Sequence, residues 1–212
     1  MNANEIYKHI DYTLLKPTAT KEDIEKLCNI ASIKGCASVC IPSSYVKYVH
    51  EHFLEVNICT VIGFPLGNCS TETKIFEAEE AVFNGASEID MVINIGELKR
   101  GNYGYVIDEI KRIKWAITGS SCILKVIIET CYLTEQEIRI ITKLVDTFTD
   151  ADYIKTSTGF GSRGASFKDI ELIKSRINFG LKIKASGGIR TKEDMEKYIE
   201  MGCDRIGASV LP

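Results

Sequence analysis

Short apolar runs alternate along this chain with longer stretches in which apolar residues recur every third or fourth position, a pattern of strands taking turns with amphipathic helices. After a short helical lead, the first strand runs from His9 to Leu15 and stops at Lys16-Pro17, where proline withholds its backbone donor. Thr20 then caps a helix with Asp23 at its third position. Ile24, Leu27, Cys28 and Ala31 form its apolar face, and Gly35 closes it. The same unit recurs with strands at Ala37 to Ile41, Asn57 to Gly63, Glu88 to Ile93, Ile123 to Glu129, Tyr153 to Thr156, Leu181 to Ala185 and Arg205 to Ala208. Between them lie helices predicted at Ser43 to Leu54, Ser70 to Asn84, Thr134 to Phe148, Ser166 to Asn178 and Thr191 to Met201. A longer helical region from Gly96 to Thr118 is interrupted near Gly101 and Gly104.

Strands that alternate with helices need crossover returns, so the sheet is parallel, and eight such strands can close on themselves. The expectation is an α/β fold, one (β/α)8 TIM barrel spanning residues 1–212 as a single domain. It is short, because such barrels run from about 200 to over 400 residues. Only Ser209 to Pro212 follow the eighth strand, so the helix after it is expected to be missing or truncated. The first strand is not followed by Gly-x-Gly-x-x-Gly, and Gly-x-x-x-x-Gly-Lys-Ser/Thr is absent, which removes the usual nucleotide signatures.

Composition narrows the classes further. A net charge of −3 leaves no basic footprint for nucleic acid or a membrane surface. No apolar run approaches the roughly 18 residues of a membrane helix, and Met1 to Lys8 lacks the apolar core of a signal peptide. Eight cysteines without Cys-x-x-Cys spacing argue against a zinc site or redox dithiol. They read as reduced, buried small hydrophobes of a cytoplasmic protein.

In a barrel of this kind, chemistry sits at the carboxyl ends of the strands. Those ends offer Asp11, Cys40, Gly63, Asp90, the run Lys125 to Glu129, Lys155, Lys184 and Gly207. Two neighbouring strands each end in a lysine followed by hydroxyl residues and glycine, as Lys155-Thr156-Ser157-Thr158-Gly159 and Lys184-Ala185-Ser186-Gly187-Gly188. A lysine normally titrates near 10.4, but beside a second ammonium it holds its proton less tightly, and a neutral amine attacks carbonyls. Lowering that value by about 3 corresponds to roughly 4 kcal/mol. Side-chain alternation puts Lys125, Ile127 and Glu129 on one face of their strand and Lys182 with Lys184 on theirs. Lys182 is thereby aimed at the lower barrel unless it snorkels out. Asp90, bracketed by apolar residues, must be paired; its alternatives are a salt bridge to a barrel lysine or a proton relay. Glycine-containing turns after strands six, seven and eight expose backbone N–H groups suited to a phosphate ester.

The motifs His9 to Pro17, Val61 to Pro65, Glu88 to Val92, Leu124 to Thr130, Lys155 to Phe160 and Lys184 to Arg190 resemble those of the deoxyribose-phosphate aldolases, a class I aldolase family, in order from first strand to last. The resemblance implies metal-free, cofactor-free, reversible cleavage of 2-deoxy-D-ribose 5-phosphate to acetaldehyde and D-glyceraldehyde 3-phosphate, in deoxyribose phosphate catabolism. It implies a Schiff base on Lys155, Lys184 as the neighbouring cation, and Asp90 as proton donor and acceptor with a water. Gly159, Gly187, Gly188, Gly207 and Ser209 would hold the phosphate, with Asp11, Lys125 and Cys40 in support. Family habit suggests a homodimer or higher homo-oligomer. Val210 stands where the family often has a second phosphate-contacting serine. Rival readings are a Schiff-base lyase with a larger donor, a catalytically silent phosphosugar-binding barrel, and a metal-dependent aldolase or isomerase.

Overall fold

Eight parallel strands close into a barrel in sequence order in the computed structural model, which describes residues 1–212. They are β1 (Ile10–Thr13), β2 (Ser38–Ile41), β3 (Ile58–Ile62), β4 (Glu88–Val92), β5 (Ile123–Ile127), β6 (Tyr153–Lys155), β7 (Lys182–Ser186) and β8 (Arg205–Ala208), and β8 pairs back onto β1. After a lead helix α1 (Ala3–Tyr7), the returns are made by α2 (Lys21–Lys34), α3 (Val46–His52), α4 (Thr71–Phe83), the pair α5 (Ile95–Lys99) and α6 (Tyr103–Ala116), α7 (Glu135–Phe148), α8 (Phe167–Lys174) and α9 (Lys192–Glu200). No helix follows β8, and no helix is long and apolar enough to cross a membrane.

Local chemistry explains the helix ends. Thr20, Thr134 and Ser166 each accept a backbone N–H three residues on, while Asp23, Glu137 and Asp169 reach back in reciprocal capping boxes. The predicted helical region from 96 to 118 divides at Gly101, whose φ of 79° an L side chain resists, whereas Gly104 stays inside α6. The helix expected to reach Asn178 ends at Lys174. Asp146 of α7 accepts the N–H groups of Asn178, Phe179 and Leu181 and so replaces the missing helical bonds.

Two buried layers follow from strand alternation. Ile89 and Met91, Leu124 and Val126, Ile154, and Ile183 with Ala185 face outward into a continuous apolar shell beneath the helices. The opposite parity turns inward, where Cys40, Cys59, Val92, Ile127 and Tyr153 are buried but lie outside that shell. Inward charge takes the place of the branched aliphatics that usually fill a barrel. The reading of all eight cysteines as buried hydrophobes is corrected here. All are free thiols, but Cys36, Cys69 and Cys131 are only half-buried, and Cys40 and Cys59 stand in the polar interior. Lys182 is exposed at the lower rim, its Nζ 5.5 Å from the Tyr153 ring centre, and does not enter the barrel.

Candidate active site

Strand register brings the charged residues together. Asp90 on β4 is the direct partner of Lys125 on β5, and Lys155 on β6 is the direct partner of Lys184 on β7. Because all four share the inward parity, their heads meet on the axis. Lys155 and Lys184 each place Nζ 2.7 Å from the same Asp90 oxygen, Oδ2, so the two nitrogens lie at most twice that distance apart. Oδ1 of Asp90 accepts from Lys125 at 2.8 Å and from the Cys59 thiol at 3.2 Å. Lys184 also reaches Asp11 at 2.5 Å, Lys125 reaches Glu88 at 2.6 Å, and Arg205 bridges Asp11 and Glu88.

The cluster therefore holds four cations (Lys125, Lys155, Lys184, Arg205) against three carboxylates (Asp11, Glu88, Asp90). Burial works to raise the Asp90 carboxyl, but the ammonium groups of Lys125, Lys155 and Lys184 outweigh it and hold Asp90 well below the usual carboxylate range. Asp11 is depressed in the same way, by Lys184, Lys125 and Arg205 against its burial. For Lys184 the balance runs the other way: burial disfavours its charge, yet Asp11 and Asp90 raise it, so it stays an ammonium. Hydrogen bonding with Cys59 lowers the Cys40 thiol, while burial pushes Cys59 well up. Glycine at 207 makes room for this packing, since a Cβ there would come within 2.7 Å of the Ser186 Cβ and 3.3 Å of the Lys184 Cε.

Above the cluster opens a cavity of about 330 Å³, and of the three axial lysines only Lys155 lines it. Gly159, Gly187, Gly188, Gly207 and Ser209 line the same cavity. The backbone N–H groups of Gly159, Gly187, Gly188 and Ser209, all residues of this lining, donate to no backbone carbonyl. The loops after β6 and β7 are stitched by Ser186 Oγ donating to the Ser157 carbonyl at 2.6 Å and by the Ser186 N–H donating to Thr156 Oγ1 at 3.1 Å. Gly164 lies over the β7 loop, where a Cβ would fall 1.9 Å from the Gly187 carbonyl oxygen.

All eleven site residues drawn from the sequence thus occupy one region, the charged ones on the axis, Cys40 beside Cys59, and the glycines and Ser209 around the mouth. Several others belong with them. Lys16 and Arg190 line the cavity without an ion-pair partner, and Glu88, Arg205 and Cys59 complete the axial network. Glu88 was legible, since it shares parity with Asp90. Arg205 was not, because its partners come from β1 and β4, distant in sequence. Glu129 departs from its expected strand face, because β5 ends at Ile127 and Glu129 has a φ of 50°. Cys40, Cys59 and Asp90 offer ligand atoms within 4.8 Å of one another, but three ammonium groups already occupy both Asp90 oxygens, which a metal ion would have to displace. Outside the barrel, a buried Lys74–Glu109 pair at 2.7 Å ties α4 and α6 to the end of β4, with Lys74 donating to the Val92 carbonyl at 2.8 Å.

The model of the DeoC/LacD family aldolases matches residues 7–209. A deoxyribose-phosphate aldolase of Clostridium botulinum strain Alaska E43 is 53% identical over 210 residues, covering 99% of this chain and 94% of its own. Among solved structures, the aldolase QR15 superposes with a TM-score of 0.92 at 41% identity, over 97% of this chain and 91% of its own. The tetrameric deoxyribose phosphate aldolase of Aeropyrum pernix superposes with a TM-score of 0.90 at 30% identity, over 98% and 88%.

Proposed function

Because this chain belongs to the DeoC/LacD aldolase family, we propose that it cleaves 2-deoxy-D-ribose 5-phosphate reversibly to acetaldehyde and D-glyceraldehyde 3-phosphate through a Schiff base on Lys155. The observation that carries this reading is the shared oxygen: two lysines of neighbouring strands meet on Asp90 Oδ2, and only Lys155 faces the cavity. The network holds one cation more than it has carboxylates, so loss of a single proton balances it. Lys155, the amine within reach of substrate, is where that loss produces a nucleophile.

The amine adds to C1 of the open-chain sugar, and expulsion of water gives an iminium. Removal of the C3 hydroxyl proton then breaks the C2–C3 bond. The electron pair passes into the iminium as an enamine, and the aldehyde triose phosphate leaves. Protonation of the enamine carbon and hydrolysis release acetaldehyde and restore Lys155. Lys184 remains charged beside the iminium, and Asp90, held as a carboxylate against both lysine heads, takes up the C3 hydroxyl proton through a water and returns it the same way to the enamine carbon. The free amides of Gly159, Gly187, Gly188 and Ser209, with Lys16 and Arg190 at the rim, suit the phosphate. In this reading the chain is one aldolase domain of the cytoplasm that needs no metal or cofactor, and it assembles with copies of itself.

Incubation with 2-deoxy-D-ribose 5-phosphate and coupled assay of both products tests the proposal. Acetaldehyde and triose phosphate should form in equal amounts, with or without a chelator; triose phosphate accompanied by a larger carbonyl donor instead would overturn it. Gly164→Ala should raise KM for this sugar about tenfold, roughly 1.4 kcal/mol, because the new Cβ must push the Gly187 loop away. Steady-state kinetics on the purified variant check this, and an unchanged KM would mean that the loop contact is irrelevant to binding.

A further inference from the structure

Glu129 is a bulky residue in a backbone conformation that favours glycine, with φ 50° and ψ 69°, and its side chain is buried. Strain of this kind persists only where the surroundings enforce it, and it concentrates at functional sites. What enforces it here is a set of bonds to the loop that carries Lys155. The two carboxylate oxygens accept the Thr158 N–H at 3.2 and 3.3 Å, and Oε2 also accepts the Thr158 hydroxyl. That hydroxyl oxygen in turn accepts the Phe160 N–H at 3.0 Å. The amides on either side of Gly159 are therefore both tethered, directly or at one remove, to a single carboxylate. Gly159 sits between them at φ 88°, lines the cavity, and has an N–H that donates to no backbone carbonyl. Glu129 itself does not line that cavity.

We propose that Glu129 is a positioning residue for the phosphate end of the substrate, which shapes the turn after β6 so that the Gly159 amide points at the anion. The inference rests on the aldolase reading above and adds to it a determinant of specificity. Strand β6 holds Lys155 through its ladder to β5 and β7, independently of the Glu129 contacts. Loss of the clamp should consequently disturb phosphate recognition and spare amine chemistry.

The test compares wild type, Glu129→Gln and Glu129→Ala on 2-deoxy-D-ribose 5-phosphate and on unphosphorylated 2-deoxy-D-ribose, together with competitive inhibition by inorganic phosphate. For Glu129→Ala, kcat/KM on the phosphorylated sugar should fall about a hundredfold, chiefly through KM, the scale expected when a binding group is misplaced by about 1 Å. Its kcat/KM on the unphosphorylated sugar should fall less than about threefold, and inhibition by inorganic phosphate should weaken in parallel. Glu129→Gln, which keeps an acceptor for the amide, should lie between and provides the reading if the alanine variant fails to fold. Equal losses on both sugars, or none on either, would overturn the inference while leaving the aldolase reading intact. Failure of wild type to cleave either sugar would overturn both.

Discussion

Lys155→Met should reduce cleavage of 2-deoxy-D-ribose 5-phosphate by about four orders of magnitude or more, close to 5 kcal/mol of barrier, because it removes the only axial amine that reaches the cavity. The change is nearly volume-conserving and the side chain is 3% exposed, so the fold should survive. Covalent trapping makes the expectation specific. Acetaldehyde and borohydride should leave one N-ethyl group on wild type, located at Lys155 by peptide mass mapping, and none on the variant. A wild-type enzyme that stays unmodified under these conditions, or one labelled at Lys184 instead, would remove the Schiff base from the mechanism proposed for this chain.

The second large effect is expected at Lys184. Lys184→Leu should lower turnover near neutral pH about a hundredfold, which corresponds to roughly 2.7 kcal/mol. The sign follows from the axial charges. With Lys184 present, four basic side chains face three carboxylates; without it, the two numbers are equal. Removing a cation from the axis should therefore move the acid limb of the pH–rate profile to higher pH, and part of the lost rate should return there. Asp11 keeps Arg205 and Lys125, and Asp90 keeps Lys125 and Lys155, so neither carboxylate is orphaned and the circular dichroism spectrum should be retained. An unchanged pH profile, whatever the rate, would refute the electrostatic role of Lys184.

The alternation of short apolar runs with three-to-four-residue periodicity determined the barrel, its eight strands and their order, because strand and helix periods differ and parallel strands need helical returns. Inward parity and the glycine turns likewise marked Asp90, Lys125, Lys155, Lys184 and the loops around the cavity mouth from local pattern alone. Only the tertiary structure decided that Lys155 and Lys184 would share one oxygen, that Arg205 would bind Asp11 and Glu88 across the axis, and that Glu129 would leave its strand to hold Thr158. Parity is a property of a few neighbouring residues and can be read from them. Which heads meet inside a closed barrel depends on register and closure, and these bring together strands separated by up to nearly the whole chain.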